Sequence, residues 1–370
     1  MKKKRYVTIF PECEPVHLKK DVGMLPYSLG NYCEYDYSLV CYENKTFSEF
    51  DIEKFHIKTI SKKKNDIGDF GRYLLKHAKE IDILNLYHIS SKRNAVWIFL
   101  YKEANPQGKV HLKLDADYRM VSLVDMNPAS LKGKLKIHIL KNMVDLYTIE
   151  SESMRLLLED LWKIKMKIIP NGIFREADIS PARVEDKQKC FLTVGRLGTE
   201  QKATEDLLSA FAKIKDKTPW NLILAGNIEN NFRRYIDEYF EKNPDLEDRV
   251  IFTGNITNSE ELTRLYKEAS VFVLPSRWEG FALVLMEALE CGDYLVVSDQ
   301  VPSVNDISNN GKYADVFKCG DIDMLANTML ICTGKRSSNI EMEEMYKWIH
   351  DNFTWKTIAQ RLDSYIKEIL

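Results

Sequence analysis

The sequence predicts two α/β domains, each with helices packed on a parallel β-sheet. Short apolar runs recur along the chain, many end in Gly or Pro, and several alternate with amphipathic helical patterns. This alternation is typical of βα units. The chain has 370 residues, whereas a single core stops growing at ~250–300 residues. The segment 171–189 is polar, lacks periodicity and contains Pro181, so it is interpreted as the linker between the domains.

The first half begins with the strand-like run YVTIF. Its runs cover 6–10, 37–42, 55–60, 81–88, 109–115 and 146–150. Helical patterns lie between several of them, for example at 68–80 and 94–104. The segment 17–30, which follows the first run, is interpreted as an open loop.

The second half repeats this order more clearly. Its strand-like runs cover 190–195, 221–226, 249–254, 270–275 and 294–299. Helices are predicted near 204–215 and 259–268, the second with Asn258 as its N-cap and Glu261 three residues on. The tail, 343–370, is predicted to be helical throughout.

The charge distribution and the cysteines of the sequence indicate which kind of partner and which cellular compartment to expect. Residues 1–170 carry 29 Lys and Arg against 22 Asp and Glu, whereas the remainder carries 24 against 33. We therefore expect the first half to meet an anionic partner, such as a membrane surface or a lipid phosphate; no nucleic-acid motif accompanies this charge. The seven cysteines include no CxxC pair, which favours a reducing cytoplasm. YVTIF is too short for the apolar core of a signal peptide, and no run is long enough to cross a bilayer.

The segment PSRWEGFALVLMEALECG, 275–292, contains Glu279 and Glu287, and the stretch between these two carboxylates is apolar and carries no other charge. A helix is predicted from Ala282 to Cys291, with Gly292 as its C-terminal cap, and it is apolar on nearly every side. A buried carboxylate is costly unless it is paired or hydrogen-bonded, so Glu287 is expected to accept hydrogen bonds, for example from a ribose diol. Glu279 lies in the loop at the carboxyl end of a strand, where open α/β sheets bind ligands.

The start of this helix supplies backbone donors. The N–H groups of Phe281, Ala282 and Leu283 follow Gly280, and such groups suit a diphosphate. The alternative is that Glu287 pairs with a core Arg or Lys and that Glu279 is simply solvated.

A second segment, GRLGTEQKATEDLL at 195–208, carries two cations beside a helix N-terminus. Gly195 ends a strand, Arg196 and Lys202 lie in the loop, and the helix begins near Thr204. This arrangement can hold a phosphate and neutralise a departing diphosphate. The alternative is an ordinary βα loop with two solvated cations. The glycine patterns GxGxxG and GxxxxGK[ST] of dinucleotide sites and P-loops do not occur here.

Together the two segments resemble retaining glycosyltransferases of family 4. That family carries G-R-L…K after one strand of its C-terminal domain and P-S-x-x-E-G-F-x(5)-E-A further along. The corresponding residues here are Gly195-Arg196-Leu197…Lys202 and Pro275-Ser276…Glu279-Gly280-Phe281…Glu287-Ala288. IIPNGI (168–173) resembles the family's interdomain strand end and turn. ASVFVLPS resembles a strand of its C-terminal domain, and FTWKTIAQRL resembles its C-terminal helix. The resemblance covers nearly all of the second half.

The resemblance implies the GT-B fold, in which two Rossmann-like α/β domains face a cleft. It implies an acceptor-binding domain at 1–172, a nucleotide-sugar-binding domain at 173–353, and a C-terminal helix at about 354–370 that crosses back to the first domain. Transfer would retain the anomeric configuration without a metal or other cofactor. The expected donor is a UDP-sugar, and the expected acceptor is a glycan, free or lipid- or protein-linked, in bacterial surface polysaccharide or glycoconjugate synthesis.

The family's site residues carry over by position onto the second half. Arg196 and Lys202 would bind the diphosphate, Glu287 the ribose, and Glu279 the donor sugar. The N–H groups of 281–283 would face the donor, and Gly254 to Ile256 would lie near the base.

The first half matches the family less well. Gly23, in the segment 17–30, would let the backbone approach the donor, although the family's Gly-Gly motif is missing. His88 resembles a histidine that follows the family's fourth strand, but a lone histidine is more often structural. Where the family has a catalytic-site histidine, this chain has Asp115 and Asp117, one of which would orient the acceptor hydroxyl. As D-x-D, the pair also suggests the metal site of the other large glycosyltransferase fold, which would leave the second half unexplained.

Basic segments at 62–64, 91–93 and 131–141 supply the charge of the first half. The last is partly amphipathic and resembles the face with which family members that use lipid-linked acceptors dock on the inner face of the plasma membrane. A solvated charged surface is the alternative. Two other functions stay open: a nucleotide-sugar epimerase, which needs no acceptor, and a non-catalytic partner subunit.

Overall fold

The computed structural model describes residues 3–88, 92–123, 128, 130–175, 179–335 and 338–370. It divides into two compact units. Unit 1 comprises Met1–Phe174 and Phe353–Leu370, and unit 2 comprises Arg175–Asn352. Residues 176–178 of the predicted linker and residue 91 of a predicted basic segment lie outside the described residues.

Unit 1 is built on a parallel sheet that has seven strands in the described part of the chain. They are β1 (Arg5–Ile9), β2 (Asp36–Tyr42), β3 (Ile57–Ile60), β4 (Ile83–Tyr87), β5 (Lys109–Leu114), β6 (Leu146–Ile149) and β7 (Lys167–Ile168). Their spatial order is β3-β2-β1-β4-β5-β6-β7, and neighbouring strands pair parallel throughout. The order of the chain reverses between β1 and β4, which is the switch point of this sheet.

Helices cover both faces of this sheet. They are α1 (Pro15–Leu18), α2 (Asp21–Tyr32), α3 (Glu49–Lys54), α4 (Asp66–His77), α5 (Lys92–Ala104), α6 (Met120–Leu123), α7 (Leu131–Asn142) and α8 (Glu152–Trp162). Side chains alternate along β4 as strand geometry requires. Leu84 and Leu86 pack in one core with α4 and α5, whereas Ile83 packs in the other core with α2.

The segment 17–30 is not an open loop, so that prediction is wrong. It contains the end of α1 and most of α2, and Gly23 is buried in the first turn of α2. A Cβ at Gly23 would lie 2.5 Å from the backbone of Leu18. The glycine therefore allows α1 and α2 to pack closely, which is a structural reason for it that involves no ligand.

Unit 2 is built on a parallel sheet with six strands in the described part of the chain. They are β8 (Cys190–Val194), β9 (Asn221–Ala225), β10 (Val250–Gly254), β11 (Val271–Leu274), β12 (Tyr294–Ser298) and β13 (Ala314–Phe317). Their order is β10-β9-β8-β11-β12-β13, again with parallel pairing throughout. The switch point lies between β8 and β11.

The helices of unit 2 lie between these strands and in the tail. They are α9 (Thr204–Ile214), α10 (Arg233–Lys242), α11 (Ser259–Glu268), α12 (Leu283–Glu290), α13 (Val304–Ile307), α14 (Ile322–Cys332) and α15 (Asn339–Phe353). Short 3₁₀ turns lie at Val184–Asp186, Asn230–Phe232 and Pro244–Leu246 in unit 2 and at Ala78–Glu80 in unit 1. Among the helices that the structure describes, none combines the length and the apolar character of a membrane span.

The last helix, α16 (Trp355–Ile369), returns to unit 1. Its buried residues Ile358, Leu362 and Ile366 lie in the core that contains α2, which confirms the predicted crossing of the C-terminal helix. The tail is not helical throughout, because Thr354 ends the run and caps α16 by accepting a hydrogen bond from the Thr357 N–H group.

The sequence predicts most strands correctly. Each predicted run contains a strand, and Asn258 caps α11 by accepting a 2.8 Å hydrogen bond from the Glu260 N–H group. The predictions omit β7 and β13. β7 has two residues, and β13 is an edge strand whose short run contains Asp315.

A buried polar network crosses the unit 1 sheet at His111 of β5. The imidazole Nδ1 lies 2.7 Å from Tyr6 Oη, and Nε2 lies 2.8 Å from Thr148 Oγ1. Burial, with the nearby charge of Lys113 acting in the same direction, lowers the pKa of His111 to about 3. His111 is therefore neutral in the folded protein at neutral pH.

We expect the free energy of unfolding to decrease below pH 6.5 because of His111. In the unfolded chain this histidine has its ordinary pKa of 6.5, whereas in the folded chain the pKa is about 3. The stabilisation is complete above pH 6.5 and is lost as the pH falls towards 3, by about 1.4 kcal/mol per pH unit. Urea unfolding across this range measures the slope. His111→Asn should reduce it, whereas His138→Asn, on an exposed residue of α7, should not; equal slopes in all three proteins would contradict the prediction.

Candidate functional site

The candidate site lies at the carboxyl edge of the unit 2 sheet. Because its strands are parallel, their carboxyl ends meet at one edge, and the switch point lies between β8 and β11. Ligands of open α/β sheets bind at such a point. Two loops meet there: 195–203, which follows β8, and 275–282, which follows β11. They contain both predicted cations and Glu279.

Glycines lie at the carboxyl ends of three neighbouring strands. Gly195 follows β8, Gly226 follows β9, and Gly254 ends β10. Gly226 has a φ of 139°, and a Cβ there would lie 1.8 Å from the carbonyl oxygen of Gly195. The Gly226 N–H group donates to the Gly254 carbonyl at 2.8 Å. Glycine at 226 therefore allows the three loops to run side by side.

The loop after β8 directs Lys202 across Gly195. A Cβ at Gly195 would lie 3.3 Å from Lys202 Cε, so the lysine stem lies over the glycine. The Gly198 N–H group donates to Thr204 Oγ1 at 2.9 Å. Ala203 is buried with a φ of 46° directly before α9. The loop thus has one defined path from strand to helix.

Glu279 accepts hydrogen bonds from both loops. Its Oε1 lies 2.5 Å from Lys202 Nζ and 2.7 Å from Ser276 Oγ, and its Oε2 accepts from Gln201 Nε2 at 3.3 Å. Glu279 is 8% exposed, so the alternative of a solvated Glu279 is wrong. The ion pair between Lys202 and Glu279 joins the two loops across the switch point.

Gln201 connects Arg196 with Glu279. Arg196 is exposed, and its Nη2 donates to Gln201 Oε1 at 2.9 Å. Gln201 Nε2 also donates to the Trp278 carbonyl at 3.0 Å. A third cation, Arg277, pairs with Glu205 and Asp206 at the start of α9 and donates to the Glu200 carbonyl at 2.8 Å, so it also joins the loop after β11 to the loop after β8.

Helix α12 carries two glutamates with different surroundings. Glu287 is half-buried, and its Oε2 accepts a 2.8 Å hydrogen bond from Tyr266 Oη. Among the described contacts, none is a hydrogen bond to Glu287 Oε1. Glu290 is fully buried and pairs with Arg175 at 2.6 Å and with His350 at 2.8 Å. The alternative pairs Glu287 with a core Arg or Lys, but the described contacts place Arg175 on Glu290 and the Tyr266 hydroxyl on Glu287.

The start of α12 lies next to Glu279 along the chain. The helix begins at Leu283, and Ala282 is its N-cap residue, one position later than predicted. Phe281 and Ala282 are buried, and Gly280 is half-buried. The Ala282 N–H group lies 3.4 Å from Ser303 Oγ. The positive end of the helix dipole is therefore at the candidate site.

The predicted base-binding residues follow β10. Gly254 has a φ of 72°, and a Cβ there would meet no atom within 4 Å, so the space beside it is open. Ile256 is half-buried two residues on. Strand β10 lies two positions from β8 in the sheet.

The residues predicted from the first half lie in unit 1. His88 has a φ of 64°, and its N–H group donates to the Lys113 carbonyl at 2.9 Å. Asp115 is exposed, whereas Asp117 pairs with Arg119 at 2.6 Å. In the described part of the chain, no group of three or more His, Cys, Asp and Glu side chains is arranged to hold a metal ion, so the D-x-D interpretation gains no further ligand.

Sequence reasoning missed three polar contacts of the site. Gln201 and Ser276 lie inside the two motifs, and their polar side chains beside Lys202 and Glu279 are a usable signal. Tyr266 lies on α11, and its contact with Glu287 is created only by the packing of α11 on α12.

Comparison with known proteins shows which protein family the residues of this site match. Residues 174–347 match the family described as Glycosyl transferases group 1. These residues form a group 1 glycosyltransferase domain. The matched range contains both loops and α12, and the narrower assignment to family 4 stays a prediction.

Relatives of the glycosyltransferase domain carry related names. An uncharacterised glycosyltransferase of Methanocaldococcus jannaschii is 36% identical over 36% of this chain, and the chain spans 36% of that protein. The Escherichia coli UDP-Gal:alpha-D-GlcNAc-diphosphoundecaprenol alpha-1,3-galactosyltransferase is 21% identical over 91% of this chain and 89% of its own length. The crystal structure of Anabaena HepE in complex with UDP has a TM-score of 0.72 at 16% identity, over 99% of this chain and 100% of that chain. The fold is GT-B, as predicted.

We expect Gly226→Ala to destabilise the glycosyltransferase domain by about 2–4 kcal/mol, because its Cβ would overlap the Gly195 carbonyl and its φ is positive. Gly254→Ala is the matched control: its φ is also positive, but its Cβ meets no atom within 4 Å, so about 1–2 kcal/mol is expected. Urea unfolding compares the two variants. Equal losses would show that the close approach of the loops does not matter.

Proposed function

We propose that the chain transfers a sugar from a UDP-sugar to a glycan or lipid-linked acceptor, with retention of the anomeric configuration. The observation that carries this proposal is the Lys202–Glu279 ion pair at the switch point of unit 2, beside Arg196 and the start of α12. All of these residues lie in the group 1 glycosyltransferase domain. The names of two relatives support UDP: one contains UDP-Gal, and the HepE structure contains UDP.

The diphosphate of the donor can be bound by cationic side chains and by backbone N–H groups of the candidate site. Arg196 is exposed and Lys202 is partly exposed, so both can turn towards a diphosphate. The backbone N–H groups of 281–283 add donors and the positive end of a helix dipole. A diphosphate bound here replaces part of the attraction that Glu279 now exerts on Lys202.

The ribose and the transferred sugar of the donor can each donate hydrogen bonds to a carboxylate of the site. Oxygen Oε1 of Glu287 can accept a hydrogen bond from a ribose hydroxyl, while Oε2 remains on Tyr266. Glu279 would accept from hydroxyls of the donor sugar, and Ser276 and Gln201 hold it in position. The base would lie near 254–256.

The chemistry follows from the charges. The bond between the anomeric carbon and the diphosphate oxygen breaks, and its electron pair leaves with UDP. Arg196 and Lys202 stabilise the negative charge that develops there. The acceptor hydroxyl attacks from the same face, and its proton passes to the departing phosphate oxygen. Because two cations supply the charge that a metal would supply, we propose that transfer needs no metal and no other cofactor.

The acceptor side is proposed to contact a membrane surface through α7. Leu131 and Leu135 lie one turn apart and are 83% and 58% exposed. Lys132 and Lys134 are exposed beside them. Exposed leucines among lysines suit an anionic lipid surface, and the Escherichia coli relative is named for a diphosphoundecaprenol acceptor. With the cysteine usage, this favours the cytoplasmic side of a membrane.

We expect UDP to stabilise the protein without Mg²⁺. At 100 times its dissociation constant a ligand adds ~2.7 kcal/mol of stability. Thermal melts with UDP, GDP, ADP, CMP and dTDP, each with and without Mg²⁺, measure the shift. Arg196→Ala and Glu287→Ala should abolish it, whereas Arg234→Ala, at an arginine of α10 whose side chain is 88% exposed, should keep it.

The outcomes separate the proposed activities. A shift that appears only with Mg²⁺ would contradict metal independence, and a shift that survives both site variants would contradict the assigned residues. Conversion of a UDP-sugar to its epimer without acceptor would replace transfer with epimerisation.

We expect Leu131→Ser with Leu135→Ser to weaken membrane binding by about ten-fold or more, since burying a leucine side chain contributes about 1.5–3 kcal/mol. Co-sedimentation with vesicles of phosphatidylglycerol and phosphatidylcholine measures the partition. Leu156→Ser, at a leucine of α8 that is 56% exposed, is the control and should bind like the wild type. Binding unchanged by the double substitution would leave α7 a solvated surface.

A further inference from the structure

A buried cluster of charges lies at the carboxyl edge of the unit 1 sheet. Lys113, next to the end of β5, has a fully buried side chain. Its Nζ lies 2.9 Å from Asp21 Oδ2 and 2.8 Å from Glu150 Oε1. Glu150 directly follows β6, and its Oε1 also accepts from Asn171 Nδ2 at 2.8 Å. The cluster therefore joins the ends of two strands, the first turn of α2 and the segment after β7.

The Lys113 ammonium of this cluster is held in its charged form. Burial alone would lower the pKa of Lys113, but Asp21 and Glu150 together raise it above its ordinary value. Burial raises the pKa of Glu150 well above its ordinary value, against the attraction of Lys113. One ammonium thus bonds two acidic side chains in a dry site, and removing it would leave an oxygen of each without this donor.

Some polar atoms of this cluster and its surroundings lack a hydrogen-bond partner. In the described part of the chain, Glu150 Oε2, Asn171 Oδ1 and Tyr87 Oη are buried without a hydrogen-bond partner. An apolar replacement of a buried ion cluster is often as stable as the cluster itself. Stability alone therefore does not explain why these charges occur here. Their position at the carboxyl edge of the sheet suggests a role in its geometry.

The cluster is connected to two residues predicted for the acceptor side, His88 by a hydrogen bond and Asp115 along the chain. The carbonyl of Lys113 accepts the hydrogen bond that fixes His88 in its left-handed conformation. Asp115 follows two residues later, at the end of β5. Asp21 begins α2, the second helix after β1.

We propose that Lys113 is a positioning residue for the proposed transfer: through Asp21 and Glu150 its ammonium fixes the start of α2 and the end of β5, and the end of β5 in turn holds His88 through the main-chain carbonyl at position 113. It does not touch substrate. The inference rests on the proposed function, and it goes beyond it by assigning a role to a residue that belongs to neither motif. An ammonium at this position sets the acceptor-side geometry, on which rate depends steeply.

The test uses Lys113→Met, Lys113→Arg and Glu150→Gln in the full chain. The control is Lys102→Met, because Lys102 forms an ion pair with Asp145 at the opposite edge of the same sheet, directly before β6. Transfer is measured with UDP-galactose and N-acetylglucosaminyl-diphosphoundecaprenol as probes. UDP binding and hydrolysis of UDP-galactose by water serve as readouts of the donor site proposed in unit 2.

We expect kcat for transfer to fall roughly ten- to a hundred-fold in Lys113→Met, with UDP binding and hydrolysis unchanged, and Lys113→Arg to restore part of the loss. Lys102→Met should leave kcat unchanged. A folded Lys113→Met protein that transfers at the wild-type rate would overturn the proposal. If that variant does not fold, Glu150→Gln, which keeps the shape of the side chain, carries the same expectation and the same refutation.

Amide hydrogen exchange gives a readout that needs no activity. In Lys113→Met and in Glu150→Gln, the N–H group of His88 and those of the first turn of α2 should exchange faster than in the wild type, while those of β8 should not change. Unchanged exchange at His88 would overturn the positioning role even if the wild type transfers no galactose. A wild type without transfer, but with faster exchange in these variants, would count against this donor and acceptor and would support the positioning role of Lys113.

Discussion

The parallel direction of every described strand pair is the constraint on which both units depend. It brings all carboxyl ends of a sheet to one edge, and the reversal of strand order places β8 beside β11. Gln201 and Glu279, 78 residues apart in the chain, become hydrogen-bond partners for that reason. Such crowding of loops requires backbones to approach closely. The approach of Gly226 to the Gly195 carbonyl leaves no space for a side chain, so the strand-ending glycines are part of the site's geometry.

Desolvation separates two kinds of ion pair at these edges. In the pair of Lys202 and Glu279, the side chains are 17% and 11% exposed, whereas in the pair of Lys113 and Glu150 they are 0% and 3% exposed. Water and an incoming anion can reach the first pair, so its lysine can exchange a carboxylate for a phosphate. The second pair cannot open without leaving a buried charge uncompensated. The first pair suits a ligand that comes and goes, and the second suits a geometry that must stay fixed.

Local patterns predicted most strands, the cap at Asn258 and both site loops, because each depends on residues that are close in sequence. The features that the sequence did not predict, α2 and the ion cluster of Lys113, escaped prediction for physical reasons. α2 contains Gly23, Pro26 and Gly30, residues that normally break helices, and the helix forms because α16 and the sheet bury it. The ion cluster of Lys113 joins residues from four separate segments. Nothing local marks such a lysine, since an alternating strand pattern gives it no partner until the sheet has formed.

Helix α12 shows how tertiary contacts select between similar residues. Residues three apart are neighbours on a helix surface, yet Glu287 and Glu290 have opposite environments. Arg175 and His350 hold both oxygens of the fully buried Glu290, and this fixes the rotation of α12 about its axis. Glu287 is then left half-exposed, with one oxygen on Tyr266 and the other directed to no described partner. The availability of Glu287 for a ribose therefore depends on Glu290, a residue to which the family resemblance assigns no role.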